Sequence, residues 1–513
     1  MFAKISSVGL FGLNAFPVTA EISASQGVPS IDIVGLADQS VQESRMRIKA
    51  AIQNSKMKLG SLKCVINLSP ASVKKSGSGY DLAILAAMLT VAGYIPGELD
   101  GKAFIGEVSL GGEICPVAGA LAMAIEASKS GITELYLPYD NAREASVVKD
   151  IRIYGVKTIS ELAAHLTGKK LLMPAEPAPI TEEDYRAELD FSEVKGQEAV
   201  KAAIEVAAAG FHNMLMIGPP GTGKSMIAKR IPTVLPRMSF EESIETTKIH
   251  SVAGMLSPTS PLITKRPFRN VSHTASSVGL IGGGSIPKPG EISLAHNGVL
   301  FLDEFPEFDR RVLETLRQPL ENGEITISRA AGAVTYPCNI MLVAAMNPCP
   351  CGNFGSPIKR CTCTVQQVAH YLGKISQPIL DRIDIQTEVS SVSYDDLASK
   401  GKSESSAAMA ERIAKAREIQ EKRFKGTKIR SNSGITPDML HEVCVLDEKA
   451  GQYLRLAFEK TGLSARAYDR VLKVARTCAD LDGSEIIGKS HVARAISYRS
   501  LDRKYWGGAV ALS

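Results

Sequence analysis

A phosphate-binding loop is the clearest chemical motif in the chain. Residues 218–225 match the pattern G-x-x-x-x-G-K-[ST] at every fixed position, and an apolar run precedes them. In such a loop the backbone N–H groups surround phosphate oxygens, and the following helix adds its positive N-terminus. We expect Lys224 to reach the β- and γ-phosphates and Ser225 to place its hydroxyl on Mg²⁺. The residues predicted to hold ATP are Gly218, Pro219, Pro220, Gly221, Thr222, Gly223, Lys224 and Ser225.

Three further polar residues predict that the bound nucleotide is hydrolysed. Asp303 and Glu304 follow the apolar run 299–302, which is typical of a strand buried on both faces of a parallel sheet. At the end of that strand Asp303 can hold Mg²⁺ and Glu304 can polarise the attacking water. A second strand-like run ends at Asn347, which we expect beside the γ-phosphate, where it helps to orient that water.

Four clustered cysteines predict a metal site directly after Asn347. They form two C-x-C pairs, Cys349 with Cys351 and Cys361 with Cys363. Four thiolates on a short loop can surround one Zn²⁺ tetrahedrally, although a C-x₂-C spacing is more usual. We favour a structural zinc that stiffens this loop, and free or redox-sensitive thiols are the alternative.

Composition indicates a soluble protein of several domains. The chain has 513 residues, of which 44% are hydrophobic and 22% charged, and its net charge of +5 is compatible with nucleic acid. The first residues do not follow the pattern of a signal peptide, and no run of about 18 apolar residues exists. We therefore expect a cytoplasmic protein with reduced cysteines and no contact with a membrane.

The catalytic motifs together resemble those of AAA+ ATPases. Besides the residues above, 380–384 read Leu-Asp-Arg-Ile-Asp. Four further segments look like signatures of the magnesium-chelatase-like group, and within it of the ComM (YifB) family: 285–296, 317–321, 347–352 and 463–468. The resemblance implies a homohexameric ring with nucleotide between subunits. It also implies that Arg382 is an arginine finger acting in trans and Arg466 a cis sensor-2 residue, with Arg470 and Arg476 on the same segment.

The beginning of the chain resembles the proteolytic domain of Lon-type proteases over residues 112–119 and 131–138. That family uses a serine nucleophile and a lysine base, but Gly79 stands at the serine position and residues 120–123 contain no lysine. Without a hydroxyl beside a base there is no activated nucleophile. We therefore expect a catalytically inactive domain that serves as a scaffold or a DNA-contacting collar. A dyad of Ser76 or Ser78 with a neighbouring lysine would need a shift in register.

Hydrophobic periodicity divides the chain into parts that position these motifs. We predict an α+β, Lon-protease-like domain at 1–170, a proline-rich linker at 171–189, an α/β AAA+ core at 190–392 and a helical lid at 393–513. In the first domain, strands are expected at 18–22, 30–34, 63–68, 103–108 and 134–138, and helices at 40–52, 81–91 and 118–128.

Two segments of the core are candidates for gripping a polymer. Residues 324–335 alternate and turn like a β-hairpin, and Arg329 near its tip can contact DNA phosphates or simply be solvated. The glycine-dense stretch 278–285 resembles a mobile pore loop of this clade, and a plain loop is the alternative. Residues 412–430 carry eight basic and two acidic side chains, which fits either a solvated surface or a phosphate-contacting face.

The resemblance implies a function for the whole chain. A member of this family is expected to be an ATP-driven DNA motor that promotes branch migration of recombination intermediates in natural transformation. Its grip on DNA would be independent of sequence and sensitive to salt. Two alternatives remain open: a magnesium-chelatase-type motor subunit and an ATP-dependent Lon-like protease.

Overall fold

A computed structural model describes residues 1–177, 179–257, 261–284, 287–329, 332–355, 359–392, 403–461 and 464–506. Within these residues, no helix is long and apolar enough to cross a membrane. The predicted boundary at 392/393 adjoins residues outside the described ranges. The described residues of the predicted linker 171–189 carry no helix or strand beyond one 3₁₀ turn, Glu182–Tyr185.

The front domain, defined as residues 1–170, contains the strands β1 (Phe2–Phe11), β2 (Asn14–Gln26), β3 (Ser30–Val34), β4 (Leu62–Ser69), β5 (Lys102–Phe104), β6 (Glu107–Val108), β7 (Ile114–Cys115), β8 (Glu134–Pro138) and β9 (Arg152–Val156). Seven of them form a mixed sheet of order β3-β4-β2-β1-β5-β8-β9, and β6 pairs separately with β7. Its helices are α1 (Gln39–Asn54), α2 (Asp81–Val91), α3 (Ala120–Lys129), α4 (Tyr139–Ala145) and α5 (Ile159–Leu166).

The structure has a strand or helix at every position predicted in the front domain, with some differences in extent, and it adds elements that were not predicted. The added elements are β1, whose ten residues pair antiparallel with β2, and the shorter β7, β9, α4 and α5. The strand expected at 103–108 is interrupted, because Gly106 has a φ of +156° and donates its N–H to Gly79. Helix α3 begins two residues later than predicted, because Gly119 adopts a left-handed φ of +78° before it.

The α/β core is organised around a parallel sheet of order β11-β14-β17-β10-β18. Its strands are β10 (Met214–Ile217), β11 (Phe268–Val271), β14 (Val299–Leu302), β17 (Met341–Met346) and β18 (Ile385–Glu388), and shorter pairs are β12 (Gly282–Gly283) with β13 (Lys288–Pro289) and β15 (Glu324–Arg329) with β16 (Gly332–Pro337). The helices are α6 (Glu198–Gly210), α7 (Lys224–Ala228), α8 (Phe240–Val252), α9 (Ser277–Ile281), α10 (Glu291–Leu294), α11 (Arg310–Glu314), α12 (Arg317–Asn322), α13 (Val365–Leu372) and α14 (Gln377–Leu380).

Buried apolar strands fix the position of the catalytic motifs. Every residue of β10, β14 and β17 is buried, as expected for strands covered on both faces. Because the strands are parallel and neighbours, their carboxyl ends meet at one edge of the sheet. The P-loop, Asp303 and Asn347 follow these three strands and are therefore brought together at that edge.

The helical C-terminal region packs onto the core through shared apolar surface. Its helices are α15 (Ser406–Arg423), α16 (Pro437–Val443), α17 (Glu448–Thr461), α18 (Ala465–Leu481) and α19 (Lys489–Ser497). Buried residues of α6, β10, α15 and α18 belong to one continuous hydrophobic cluster. The predicted helical lid is thus helical, and it shares its core with the ATPase sheet.

A buried polar network also ties this region to the core. Asp384 accepts a hydrogen bond from Arg470 of α18 and is 3.3 Å from Nδ1 of His212, whose Nε2 is 2.8 Å from Thr477 Oγ1. Burial acts to raise the pKa of Asp384, but the charges of Arg470 and His212 outweigh it and lower the pKa below its ordinary value. The carboxylate therefore stabilises the fold at neutral pH, and this contribution is lost as the pH falls through the native pKa.

We predict that Asp384→Asn lowers the free energy of unfolding by about 3 kcal/mol, because it leaves the partly buried Arg470 without its counter-charge. Urea denaturation followed by circular dichroism measures the change. Asp381→Asn is the matched control, since that side chain only accepts a surface hydrogen bond from Gln377 and should cost less than about 0.5 kcal/mol. Equal effects of the two substitutions would contradict the role given to the network.

Candidate nucleotide site and metal centre

The P-loop connects β10 to α7 and depends on its glycines. Gly223 has a φ of +87° immediately before the first residue of α7. A Cβ on Gly218 would lie 2.2 Å from the backbone oxygen of Val389, so only glycine fits between the loop and the end of β18. The loop geometry therefore agrees with the phosphate-binding role predicted from its sequence.

Lys224 is held at the centre of the site. Its Nζ donates to the backbone oxygens of Gly218 and Pro219 at 2.7 and 2.8 Å and to Asn347 Oδ1 at 3.1 Å. Burial lowers the pKa of Lys224 to about 8, against an opposing effect of the Asp303 charge. Because phosphate oxygens favour the charged amine, nucleotide binding is expected to raise this pKa again.

The residues predicted to hold Mg²⁺ are in direct contact. Ser225 Oγ donates to Asp303 Oδ2 at 2.5 Å, and the second carboxylate oxygen of Asp303 accepts the backbone N–H of Glu304 at 2.9 Å. A hydroxyl and a carboxylate are hard oxygen donors, which suit Mg²⁺ with phosphate and water completing its shell. The donor set therefore fits the metal that the P-loop motif implies.

Glu304 stands at the mouth of the site in an unusual backbone conformation. Its φ is +50°, which is rare for a residue other than glycine, and its Oε2 lies 3.0 Å from Nδ1 of His273. His273 follows β11, the neighbour of β14, and was not predicted to belong to the site. Its place two residues beyond the end of a parallel strand is the signal that could have revealed it.

Arg382 and Arg466 both act on one carboxylate, that of Glu321, and not on the P-loop. The side chain of Arg382 is 8% exposed, and it pairs with Glu321 Oε2 at 2.5 Å. Arg382 lowers the pKa of Glu321, and the exposed Arg466 adds a smaller effect in the same direction. In the described part of the chain no hydrogen bond or ion pair joins either arginine to the P-loop. The roles of finger and cis sensor stay predictions.

The four cysteines form the compact cluster that the sequence predicts. Their Sγ atoms all lie within 4.8 Å of one another, and three of the Sγ–Sγ distances are 3.4, 3.6 and 3.7 Å. Thiolates bound to one Zn²⁺ at about 2.3 Å stand about 3.8 Å apart, so the spacing fits tetrahedral zinc. The backbone N–H of Thr362 lowers the pKa of Cys351 to about 5, which favours the metal-binding thiolate there.

The cysteine loop is packed against the phosphate loop. Gly352 follows Cys351, and a Cβ at Gly352 would lie 2.4 Å from Cδ of Pro220 in the P-loop. On its other side the loop begins two residues after Asn347, and the Cys349 thiol is buried in the core. The cysteine loop therefore contacts the P-loop directly and adjoins Asn347 in the sequence.

No serine–lysine pair is assembled around Gly79 among the described residues. Lys75 is fully buried and donates to the backbone oxygen of Pro70, whereas Ser78 donates to Glu107. Of the side chains that a shifted register could use, Lys75 and Ser78 thus bind different partners. The absence of protease activity in the front domain stays a prediction.

The sheet, the P-loop and the converging polar residues define a P-loop ATPase of the AAA+ class. Three family profiles match the chain: "Magnesium chelatase, subunit ChlI" at residues 190–397, "Subunit ChlI of Mg-chelatase" at 20–141, and "Magnesium chelatase, subunit ChlI C-terminal" at 403–499. Within that class, the chain belongs to the ComM (YifB) family of magnesium-chelatase-like AAA+ proteins.

Similar proteins support this assignment over nearly the whole length. The chain is 41% identical to the Escherichia coli protein YifB over 495 residues, which cover 96% of each chain. It is 40% identical to the Haemophilus influenzae competence protein ComM over 507 residues, or 98% of each chain. Identity to the magnesium-chelatase 38 kDa subunit of Cereibacter sphaeroides is 22% over 332 residues, which cover 61% of this chain and 91% of that one. The Lon-like character of the front domain stays a prediction.

We predict that the purified protein carries about one zinc ion per chain and that Cys361→Ser releases it, lowering ATP hydrolysis by about tenfold because Asn347 and the P-loop lose their support. Metal analysis and a phosphate-release assay measure the two effects. Cys115→Ser is the matched control, because Cys115 is also half-buried but lies in the front domain outside the cluster. Native protein without zinc would contradict the prediction.

Proposed function

We propose that this protein is an ATP-hydrolysing hexameric DNA motor that promotes branch migration of recombination intermediates, acting in natural transformation. The observation that carries the ATPase part is the contact between Lys224 and Asn347 at the edge where Ser225 meets Asp303. These four side chains supply a phosphate ligand, a water-orienting amide and a magnesium pair. The DNA part rests on the family and on the hairpin described below.

A ring of subunits would complete this catalytic site. Arg382 pairs with Glu321, Arg466 acts electrostatically on the same carboxylate, and among the described residues neither arginine is bonded to the P-loop of its own chain. A transition state with charge on the γ-phosphate oxygens needs a cation beside them, and an arginine finger supplied in trans meets that need. Packing the Arg382 surface of one subunit against the P-loop of the next would therefore complete the site.

The DNA-binding part is proposed for the hairpin of β15 and β16. Arg329 is the last residue of β15, its side chain is exposed, and it pairs with Gly332 of β16. The glycine-dense segment lies beside it, since a Cβ on Gly283 would be 3.3 Å from Nη2 of Arg329. The two predicted pore elements thus adjoin each other, which supports a common surface for the phosphate backbone.

The basic segment 412–430 is a poorer candidate for DNA contact. Arg412 pairs with Glu205 and Glu404, and Arg423 pairs with Asp480. Arg417 is buried, and burial lowers its pKa to about 10. Because two of these guanidinium groups are paired with carboxylates and the third is buried, these three arginines are poorly placed to neutralise phosphates.

A magnesium-chelatase motor subunit is the second candidate, since all three matching profiles carry that description. The chain is much more similar to ComM than to the chelatase subunit, at 40% identity over 98% of its length against 22% over 61%. A Lon-like protease receives no support from the separate partners of Lys75 and Ser78.

We predict that DNA stimulates ATP hydrolysis and that the protein moves a synthetic four-way junction in the presence of ATP. Lys224→Ala should lower hydrolysis by about 100-fold or more, since the β/γ-phosphate ligand is lost.

Arg329→Ala should keep hydrolysis without DNA and weaken DNA binding by about five- to tenfold. Lys449→Ala, which removes an exposed charge on α17 outside the hairpin and the glycine-dense segment, is the control. A wild-type protein that neither responds to DNA nor moves the junction would refute the DNA-motor proposal.

We also predict that mixed rings show complementation in trans. Lys224→Ala and Arg382→Ala subunits are each expected to be inactive, but mixing them forms some interfaces with an intact P-loop and an intact finger. About a quarter of randomly assembled interfaces would carry both, so partial hydrolysis should return. Mixing Lys224→Ala with Lys224→Met provides the negative control, and failure of the first mixture to recover activity would place Arg382 outside the site.

A further inference from the structure

A turn of the front domain lies directly on the proposed DNA hairpin. Strands β1 and β2 are joined by the two-residue turn Gly12–Leu13, which we call the front turn. Gly12 has a φ of +61°, and a Cβ there would lie 2.2 Å from Cγ1 of Val334 in β16. Only glycine therefore allows the front turn to approach the hairpin this closely.

The residue before the turn contacts the hairpin beside Arg329. A Cβ at Gly332 would lie 2.8 Å from Cζ of Phe11, so the ring of Phe11 rests on Gly332. In the hairpin register Gly332 pairs with Arg329. Leu13 is buried in the same hydrophobic cluster as Val334. The end of β1 and the front turn thus cover the strand that pairs with the DNA-contacting arginine.

A second contact fixes the front turn relative to the core. Gly119 donates its N–H to the backbone oxygen of Ser251 in α8 at 3.0 Å, and Ser251 Oγ donates to the buried Glu144 at 2.6 Å. A Cβ at Gly119 would lie 2.3 Å from Cδ2 of Leu10 and 3.4 Å from Cγ2 of Val252. The end of β1 therefore packs against the hairpin on one side and against Gly119, which is bonded to α8, on the other.

We propose that the front turn is a positioning element for the DNA hairpin and that Phe11 controls how well Arg329 grips DNA. This proposal rests on the proposed DNA function of the hairpin. A two-stranded hairpin has little stability of its own, so the direction of its tip depends on what packs against its strands. Phe11 contacts no reacting group in the ATP site, and its effect is exerted through Gly332 on the strand paired with Arg329.

The test compares Phe11→Ala with Phe16→Ala in the full-length protein. Both phenylalanines are half-buried in the same pair of strands, but Phe16 lies against Gly9 and packs on the hydrophobic cluster of the front domain. Fluorescence anisotropy with a labelled single-stranded oligonucleotide measures DNA affinity at several salt concentrations. We expect Phe11→Ala to weaken binding by about fivefold and Phe16→Ala by less than about twofold, with hydrolysis in the absence of DNA unchanged for both.

The salt dependence separates a positioning role from a purely structural one. Phe11 has no charge, so a smaller slope of log affinity against log salt in Phe11→Ala requires the loss of a basic contact to phosphate. The double variant Phe11→Ala/Arg329→Ala should bind no more weakly than Arg329→Ala alone, because both act on one contact. Additive losses, or an unchanged salt slope, would overturn the proposal.

Two further outcomes are distinguished by the same measurements. If Arg329→Ala itself leaves DNA affinity unchanged, both the positioning role and the DNA role of the hairpin are overturned. If Arg329→Ala weakens binding but Phe11→Ala does not, only the positioning role is overturned. Should Phe11→Ala fail to fold, Phe11→Leu keeps an apolar side chain but removes the ring from Gly332, and it is expected to give a smaller loss of affinity together with a smaller salt slope.

Discussion

The hydrogen bond between Lys224 and Asn347 depends on a constraint that organises the whole core: neighbouring parallel strands end at the same edge of a sheet. Lys224 belongs to the loop after β10, and Asn347 directly follows β17. The next strand, β14, delivers Asp303 to the hydroxyl of Ser225. A shift in register of either neighbour would move these side chains by several ångströms and separate the metal pair from the phosphate loop. The remaining parts of the molecule hold or extend this edge.

The cysteine loop and the helical region hold the edge in different ways. The cysteine loop touches it directly, through Gly352 on Pro220, and would be rigid with zinc bound. The helical region acts through Asp384, which lies two residues after Arg382 and is bonded to Arg470 and His212. Because the same short segment carries the proposed finger and this buried carboxylate, displacement of α18 would also displace Arg382. Any movement of these helices would therefore be transmitted to the surface proposed to face a neighbouring subunit.

Much of this arrangement could be predicted from the sequence, because local patterns carry it. The P-loop, the acidic pair after an apolar run and the cysteine spacing each lie within a short segment, and the structure brings their side chains together. Strand β1 was missed because Ser6, Ser7 and Gly9 weaken its apolar alternation, and its strand character is set by pairing with β2 and β5. The position of His273 just after a strand was a local signal for the site, whereas Glu321 was missed because its pairing with Arg382 joins segments distant in sequence, which no local pattern records.

The contact between the front turn and the hairpin gives the front domain a structural role beside the ATPase core. Val334 is 1% exposed and Val252 is 8% exposed in the full chain, and residues near the end of β1 cover both. The apolar surface under Leu10, Phe11 and Leu13 is therefore part of a hydrophobic core that the two domains share. Separating the two parts would expose this apolar surface next to the hairpin, so an ATPase core without the front domain would be prone to aggregate.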